Sequence, residues 1–355
     1  KVEAYDKANN KGTDTENVET KEEPELFSDK YTSTQEYTDS EGNTAWIPGG
    51  FAVGTSDSIN KINDGLVITD EIDGNHESIG NQFVWIPVDE ESLNEMYQQA
   101  SGTKLTGVTT TTNVYSKLRI RSGDSYEVGA PNSTSAREPD VSSKYDTDSD
   151  YYSILGYGST KDMADGIVEE YTATYNSIKK YKGFYIGRYE LTGSVSRPTV
   201  QKNQTVLARK NWYNLKKACT NVVNSSYAQS TMIYGNQWDE VMDWLIDTGA
   251  KSDYEVNSNS SSWGNYTDST GEAATNSGEK RPAGYNEAWQ ANNIYDLAGN
   301  CKEWTQEAVI TGYHIGRGGS YNISGSSLPA ADRSHSDSSY SNGYNNSSRP
   351  ALYIK

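Results

Sequence analysis

The stretch NIYDLAGNCKEWT at 293–305, followed ten residues later by GRGGSY at 316–321, decides how the chain is read. The Gly318-Gly319 pair suits a tight turn that lets one backbone approach another. Arg317-Gly318-Gly319-Ser320 lacks the Lys and following helix of a phosphate loop, so it reads as a tight turn. Trp304 is a core candidate. Beyond the turn the composition changes abruptly: Ser, Asn, Tyr, Asp and His fill 21 of the 29 positions from Ser320 to Ser348, and 11 are serine. Gly325, Pro329-Ala330-Ala331, Arg333 and Gly343 interrupt the run, and RPALYIK closes it as a terminal strand. A disordered polar tail is the ordinary fate of such a composition. Tyrosine with small polar residues is also what adaptable binding loops use, and the strand-like end favours a scaffold carrying surface positions.

Upstream, AWIPGGFAVGT from Ala45 and NQFVWIPV at 81–88 read as strands entering turns. Ser92 with Glu95 forms a capping box for a short helix at about 92–100. Met163, Ile167, Tyr171 and Ile178 have helical spacing over about 161–179, and GFYIGRYELTG at 183–193 alternates as a strand. Trp212, Leu215, Cys219, Val222 and Val223 mark one amphipathic helix, and Trp238, Val241, Met242 and Leu245 a second that stops near Gly249. Helices mixed with short strands and long loops give an α+β fold rather than a βαβ array. The first 50 residues hold 5 Lys against 12 acidic residues, so residues 1–40 read as an acidic tether, a solvated helix or linker. Residues 41–355 read as one domain with a polar insertion at about 101–158 and a distinct C-terminal region at about 313–348.

The 355 residues carry a net charge of −18 and are only 34% hydrophobic, yet 27 are Tyr and 8 are Trp. Disordered chains lack such aromatics, so the chain is folded. Its acidity excludes nucleic acid as a natural partner. No apolar run approaches the ~20 residues that span a bilayer, and a membrane segment is expected only upstream of Lys1. Three histidines, His76, His314 and His335, have no metal-binding spacing, and there is no Walker loop, dinucleotide fingerprint or G-x-S-x-G elbow. Asp239 with Glu240 and Glu303 with Glu307 are the nearest carboxylate pairs, more in keeping with a solvated acidic face than with acid/base chemistry. Cys219 and Cys301 form no metal pattern, and whether they are bonded is left open.

Several motifs carry a resemblance. NIYDLAGNCKEWT with GRGGSY is similar to the GLYDMxGNVWEWT…RGGSW signature of the formylglycine-generating-enzyme (sulfatase-modifying) type of C-type lectin fold. GFYIGRYELT resembles that family's strand ending in YEVT, GNQWDEVMDWL its QWE helix, and WIPGG with FVWIPV its opening strand. The resemblance covers residues 45–355 apart from 101–158. Sulfatase-activating members carry two copper-holding cysteines after their RGGS; Tyr321 to Leu328 has none, and the histidine cluster of iron-dependent members is missing too. The resemblance therefore implies the fold without those chemistries, and no enzyme. It leaves room for a structural Ca²⁺ at Ala298–Glu303, with no other cofactor and no catalytic metal.

Members of this fold without the cysteines include variable proteins of diversity-generating retroelements, in which adenines of a C-terminal repeat are mutated. Asparagine codons altered at adenine give Ser, Tyr, Asp, His, Ile and Gly, the mixture seen between Ser320 and Ser348. The resemblance implies variable, ligand-binding positions at Tyr321, Asn322, Ile323, Ser324, Ser327, Asp332, Ser334, His335, Ser336, Asp337, Tyr340, Asn342, Tyr344, Asn345 and Asn346, with Tyr321, Tyr340 and Tyr344 as anchors. Gly325, Pro329, Ala330, Ala331, Arg333 and RPALYIK would be constant. It further implies display at a bacterial cell surface, pilin-like in some relatives, with an unidentified protein or glycan ligand on another cell or phage. An altered-ligand oxidoreductase and a phage receptor-binding protein are the alternatives.

Overall fold

Gln82–Pro87, read as a strand from its aromatic and β-branched residues, lies at the centre of the molecule. Phe83 and Trp85 point into one apolar cluster and Val84 and Ile86 into another, so the strand is buried on both faces. The computed structural model describes residues 2–5, 11–14, 24–97, 151–310, 313–339 and 345–355. Within them the fold is α+β. Its six-stranded antiparallel sheet runs in the spatial order Ala228–Met232, Pro350–Ile354, Gly183–Gly187, Gln82–Pro87, Val67–Thr69, Ala52–Val53. The C-terminal strand expected from RPALYIK is thus an interior strand, inserted between two others.

The Thr160–Tyr181 helix packs on this sheet. Ser159 caps it by accepting the Asp162 N–H, and Lys182 ends it at φ +61°. Its buried face, Met163, Ile167, Tyr171, Tyr175 and Ile178, has the spacing seen in the sequence. Helix Gly235–Asp247 forms where periodicity places it and is followed by Gly249 at φ +75°, whereas Trp212–Thr220 ends at its cap Asn221, before the Val222 and Val223 that its expected face included. The short helix is shifted: it spans Glu90–Met96, because Asp89 rather than Ser92 is its cap and accepts the Ser92 N–H at 2.8 Å. No helix among the described residues is long and apolar enough to cross a membrane.

A second sheet has four strands in the order Arg333–Asp337, Tyr313–Arg317, Lys302–Ile310, Asn346–Ser348, the last pair parallel. The chain leaves this sheet at Ser348 and enters the six-stranded one at Pro350, with only Arg349 between.

Two boundaries need correction. Residues 24–40 are not tether: Phe27 is 3% exposed in the core, and the Glu25 carboxylate grips the buried Arg188 guanidinium at 2.6 and 2.7 Å. Asp39 accepts backbone N–H groups of Glu41, Asn43 and Ile62, so part of the acidity builds turns instead of repelling the body. Further upstream, Val2–Tyr5 pairs antiparallel with Lys11–Asp14 in place of a helix. The insertion also ends earlier than 158, since Tyr151 stacks on Tyr213 with centroids 4.3 Å apart; residues 101–150 lie outside the described residues. Phe27→Ala is expected to cost about 3–5 kcal/mol in urea unfolding, whereas a tether residue would cost nothing.

Candidate functional site

The 316–321 turn is built as its glycines require. Gly318 and Gly319 have φ of +86° and +70°. A Cβ on Gly318 would lie 2.8 Å from the Leu297 carbonyl oxygen, and one on Gly319 2.3 Å from that of Leu328. The Gly318 carbonyl accepts the Gly299 N–H at 2.6 Å and the Tyr266 hydroxyl at 2.8 Å, and the Tyr321 N–H donates to Asn300 O at 3.0 Å. The two motifs that stood out in the sequence are therefore hydrogen-bonded to each other.

Beneath them lies a buried array of charges. Arg317 Nη2 donates to Asp239 at 2.7 Å, and Glu307 faces both Arg333 and Arg317. Arg349 donates to both Glu303 oxygens, to Gly187 O at 2.9 Å and to Tyr295 O at 2.7 Å. The carboxylates expected on a solvated acidic face are thus buried, and each of these three, Asp239, Glu303 and Glu307, has a guanidinium beside it. This also bears on calcium. Ala298 O and Asn300 O accept N–H groups from Asn265 and Tyr321, and a cation at Glu303 would meet a buried guanidinium. The donor set does not fit the ion. Among the described residues no group of three His, Cys, Asp or Glu side chains could hold a metal.

Above this base, the 320–328 loop is pinned to the 259–268 loop. Ser260 N–H donates to Gly325 O, Thr267 N–H to Ile323 O, and Gly325 N–H to Asp268 Oδ1 at 2.8 Å. A Cβ on Gly325 would come within 2.6 Å of Ser261 N. Asn322 Oδ1 accepts from Ser320 Oγ and from Asn345 Nδ2 at 2.7 Å, joining the loop to the chain entering the closing strand. Asn322, Ser327 and Asp337 are exposed; Tyr321, Ser324, Ser334 and Asn345 are half-buried; Ile323 packs partly against the core.

Two expected surface positions are withdrawn. Asp332 is 3% and Asn346 7% exposed, because the first follows buried Pro329-Ala330-Ala331 and the second pairs with Lys302 on the edge strand of the four-stranded sheet. His335 and Ser336 lie on the Arg333–Asp337 strand by backbone position. Tyr340, Asn342 and Tyr344 lie outside the described residues. Missed in the sequence were the supporting 259–268 loop, whose Ser/Asn composition carries no periodicity, and the role of Arg349. A cleft of about 670 Å³ opens elsewhere, between Glu25, Gln82, Lys202, Glu287 and Tyr295, with no residue of 320–348 in its lining.

Cys219 and Cys301 are both free and buried, which answers the question of a disulfide; burial pushes the Cys219 thiol up to about 12. His314, also buried, is pushed down to about 3 and stacks on Trp212 as a neutral ring.

Glu190, Asp296 and Glu303 converge on the single Arg349. Burial, with their mutual repulsion, pushes Glu190 well up and Asp296 to about 7, and burial raises Glu303 even against the pull of the guanidinium. A carboxyl raised in the folded state stabilises below its unfolded value of about 4 and loses that contribution as pH rises to about 7. Wild-type stability is therefore expected to drop between pH 5 and 7, by up to about 1.4 kcal/mol per pH unit for each such carboxyl, and to drop less in Asp296→Asn. Glu25 and Glu170, which burial would raise, are held low by Arg188 and Lys216, so their contribution is lost only at more acid pH. Urea midpoints across that range check the sign. Arg349→Met, which leaves Glu303 buried without its cation, is expected to cost about 3–5 kcal/mol.

No family model matches the chain, and no curated protein matches it. Among solved structures it is similar to Treponema denticola variable protein 1, at 11% identity over 90% of this chain and 99% of that chain, with a TM-score of 0.29. At that score the likeness carries no argument about fold or function.

Proposed function

We propose that this is a ligand-binding display protein whose 320–348 face varies between copies of the gene, as in variable proteins of diversity-generating retroelements on a C-type lectin-like fold. One observation carries the reading. The Ser/Asn/Tyr-rich window alternates exposed positions (Asn322, Ser327, Asp337) with buried ones (Pro329, Ala330, Ala331, Arg333), and the buried ones are tied into the ion-paired base. A disordered tail would have no such division. Surface substitutions away from special features typically change stability by no more than about 0.5 kcal/mol, so such a face tolerates replacement. Its ligand is a protein or glycan on another cell or phage, the protein acts at a cell surface or on a phage particle, and no catalysis is involved.

Sibling genes test this. Their differences are expected to concentrate at adenine-rich codons for the exposed positions of 320–348, sparing Gly325 and 349–355. Purified siblings should unfold within about 1 kcal/mol of one another while retaining different ligands. Differences scattered over the whole chain would sink the reading. So would oxidation of a cysteine-containing sulfatase peptide in the presence of copper, which would favour the enzymatic alternative.

A further inference from the structure

We infer that Lys302 is a constant cation in the floor of the variable face and biases that face, whatever its variable residues, towards protein ligands that present a carboxylate. The inference rests on the display reading above. Lys302 begins the Lys302–Ile310 strand, pairs in register with Asn346 and donates its N–H to Asn345 O at 2.7 Å. It therefore lies beside the closing strand of the window while standing outside 320–348 itself. Its stem lies against Gly316 of the neighbouring strand: a Cβ there would come within 2.9–3.0 Å of Lys302 Cγ, Cδ and Cε. Gly316 is in turn the register partner of Ser334. The side chain thus spans from one edge of the window towards the other.

Among the described residues, Lys302 differs from the buried cations in having no carboxylate as counter-ion. Arg188, Lys216, Arg317, Arg333 and Arg349 each meet a carboxylate: Glu25, Glu170, Asp239, Glu307 and Glu303. Among the described residues no carboxylate lies within 4.0 Å of the half-buried Lys302 ammonium. The acid it senses is Asp332, one Oδ of which already accepts the Ser334 hydroxyl. A partly dehydrated ammonium gains from an incoming carboxylate more than a solvated one does. The remaining charge of the chain does not cancel this. Residues 301–355 are net +1 against −19 elsewhere, and at physiological salt a distant field is screened beyond about 8 Å, whereas a half-buried contact is not. The exposed Asn322, bonded to the Asn345 that accepts the Lys302 N–H, and the exposed Ser327 of the same loop supply the short hydrogen-bonding groups that suit a peptide.

The test is selection of random twelve-residue displayed peptides on the intact protein, its Lys302→Met variant and its Asp332→Asn variant, each first checked for an unchanged thermal melt. Peptides retained by the wild type are expected to be enriched in Asp and Glu, those from Lys302→Met not, and those from Asp332→Asn more strongly. One selected acidic peptide should bind Lys302→Met about tenfold or more weakly, and its Glu→Gln analogue should lose that factor on the wild type only. If Lys302→Met fails to fold, the analogue pair on wild type and Asp332→Asn carries the same comparison. Binders without acid enrichment, or enrichment that survives Lys302→Met, overturn the inference and leave the display reading standing. No binders, or binders indifferent to Asn322→Arg, overturn the display reading itself.

Discussion

Arg349 occupies the single position between the two sheets, and the architecture depends on what its guanidinium holds. Its donors reach Glu303 on the Lys302–Ile310 strand, Gly187 on the central sheet and Tyr295 in the signature stretch, while its own carbonyl accepts the Ile233 N–H. One side chain thereby fixes where the variable window ends and where the interior strand Pro350–Ile354 begins. A planar group with five donors is suited to this, since Lys would offer a single ammonium in place of a fork. Arg317, just before the window, and Arg333, within it, repeat the arrangement against Asp239 and Glu307.

Buried ion pairs are weak evidence for added stability, because desolvation offsets most of the attraction. Their value here is geometric: a misplaced strand would leave a charge in the core without its partner. The sheet beneath the window is consequently specified by groups outside it, by Asp239 and by the 259–268 loop that pins Gly325. Residues at the top are then free to differ without deciding the fold.

Much of this was legible along the chain. The faces of the Thr160–Tyr181, Trp212–Thr220 and Gly235–Asp247 helices follow from spacing, and the Gly318-Gly319 turn follows from what a Cβ would strike. Residues 24–40 were misread because Glu25 and Asp39 look like solvated charge until Arg188 and three backbone N–H groups are brought to them. Asp332 and Asn346 were misread for a related reason. Composition marks which residue types suit a surface, but Asp332 is buried by following the packed Pro329-Ala330-Ala331 turn and Asn346 by pairing with Lys302.

The sequence by itself determined the longer helices and the glycine turn, because helical period and turn chemistry depend on neighbours a few residues apart. It also marked the window, since a change in composition needs no coordinates. Tertiary structure alone decided which charges neutralise each other, because Arg349 and Glu303 are 46 positions apart, Arg317 and Asp239 78, and Arg188 and Glu25 163. It also decided that, among the described residues, no carboxylate pairs with the Lys302 ammonium. Coulomb attraction and desolvation act through space, and nothing in the spacing of a sequence records which carboxylate a folded guanidinium will meet.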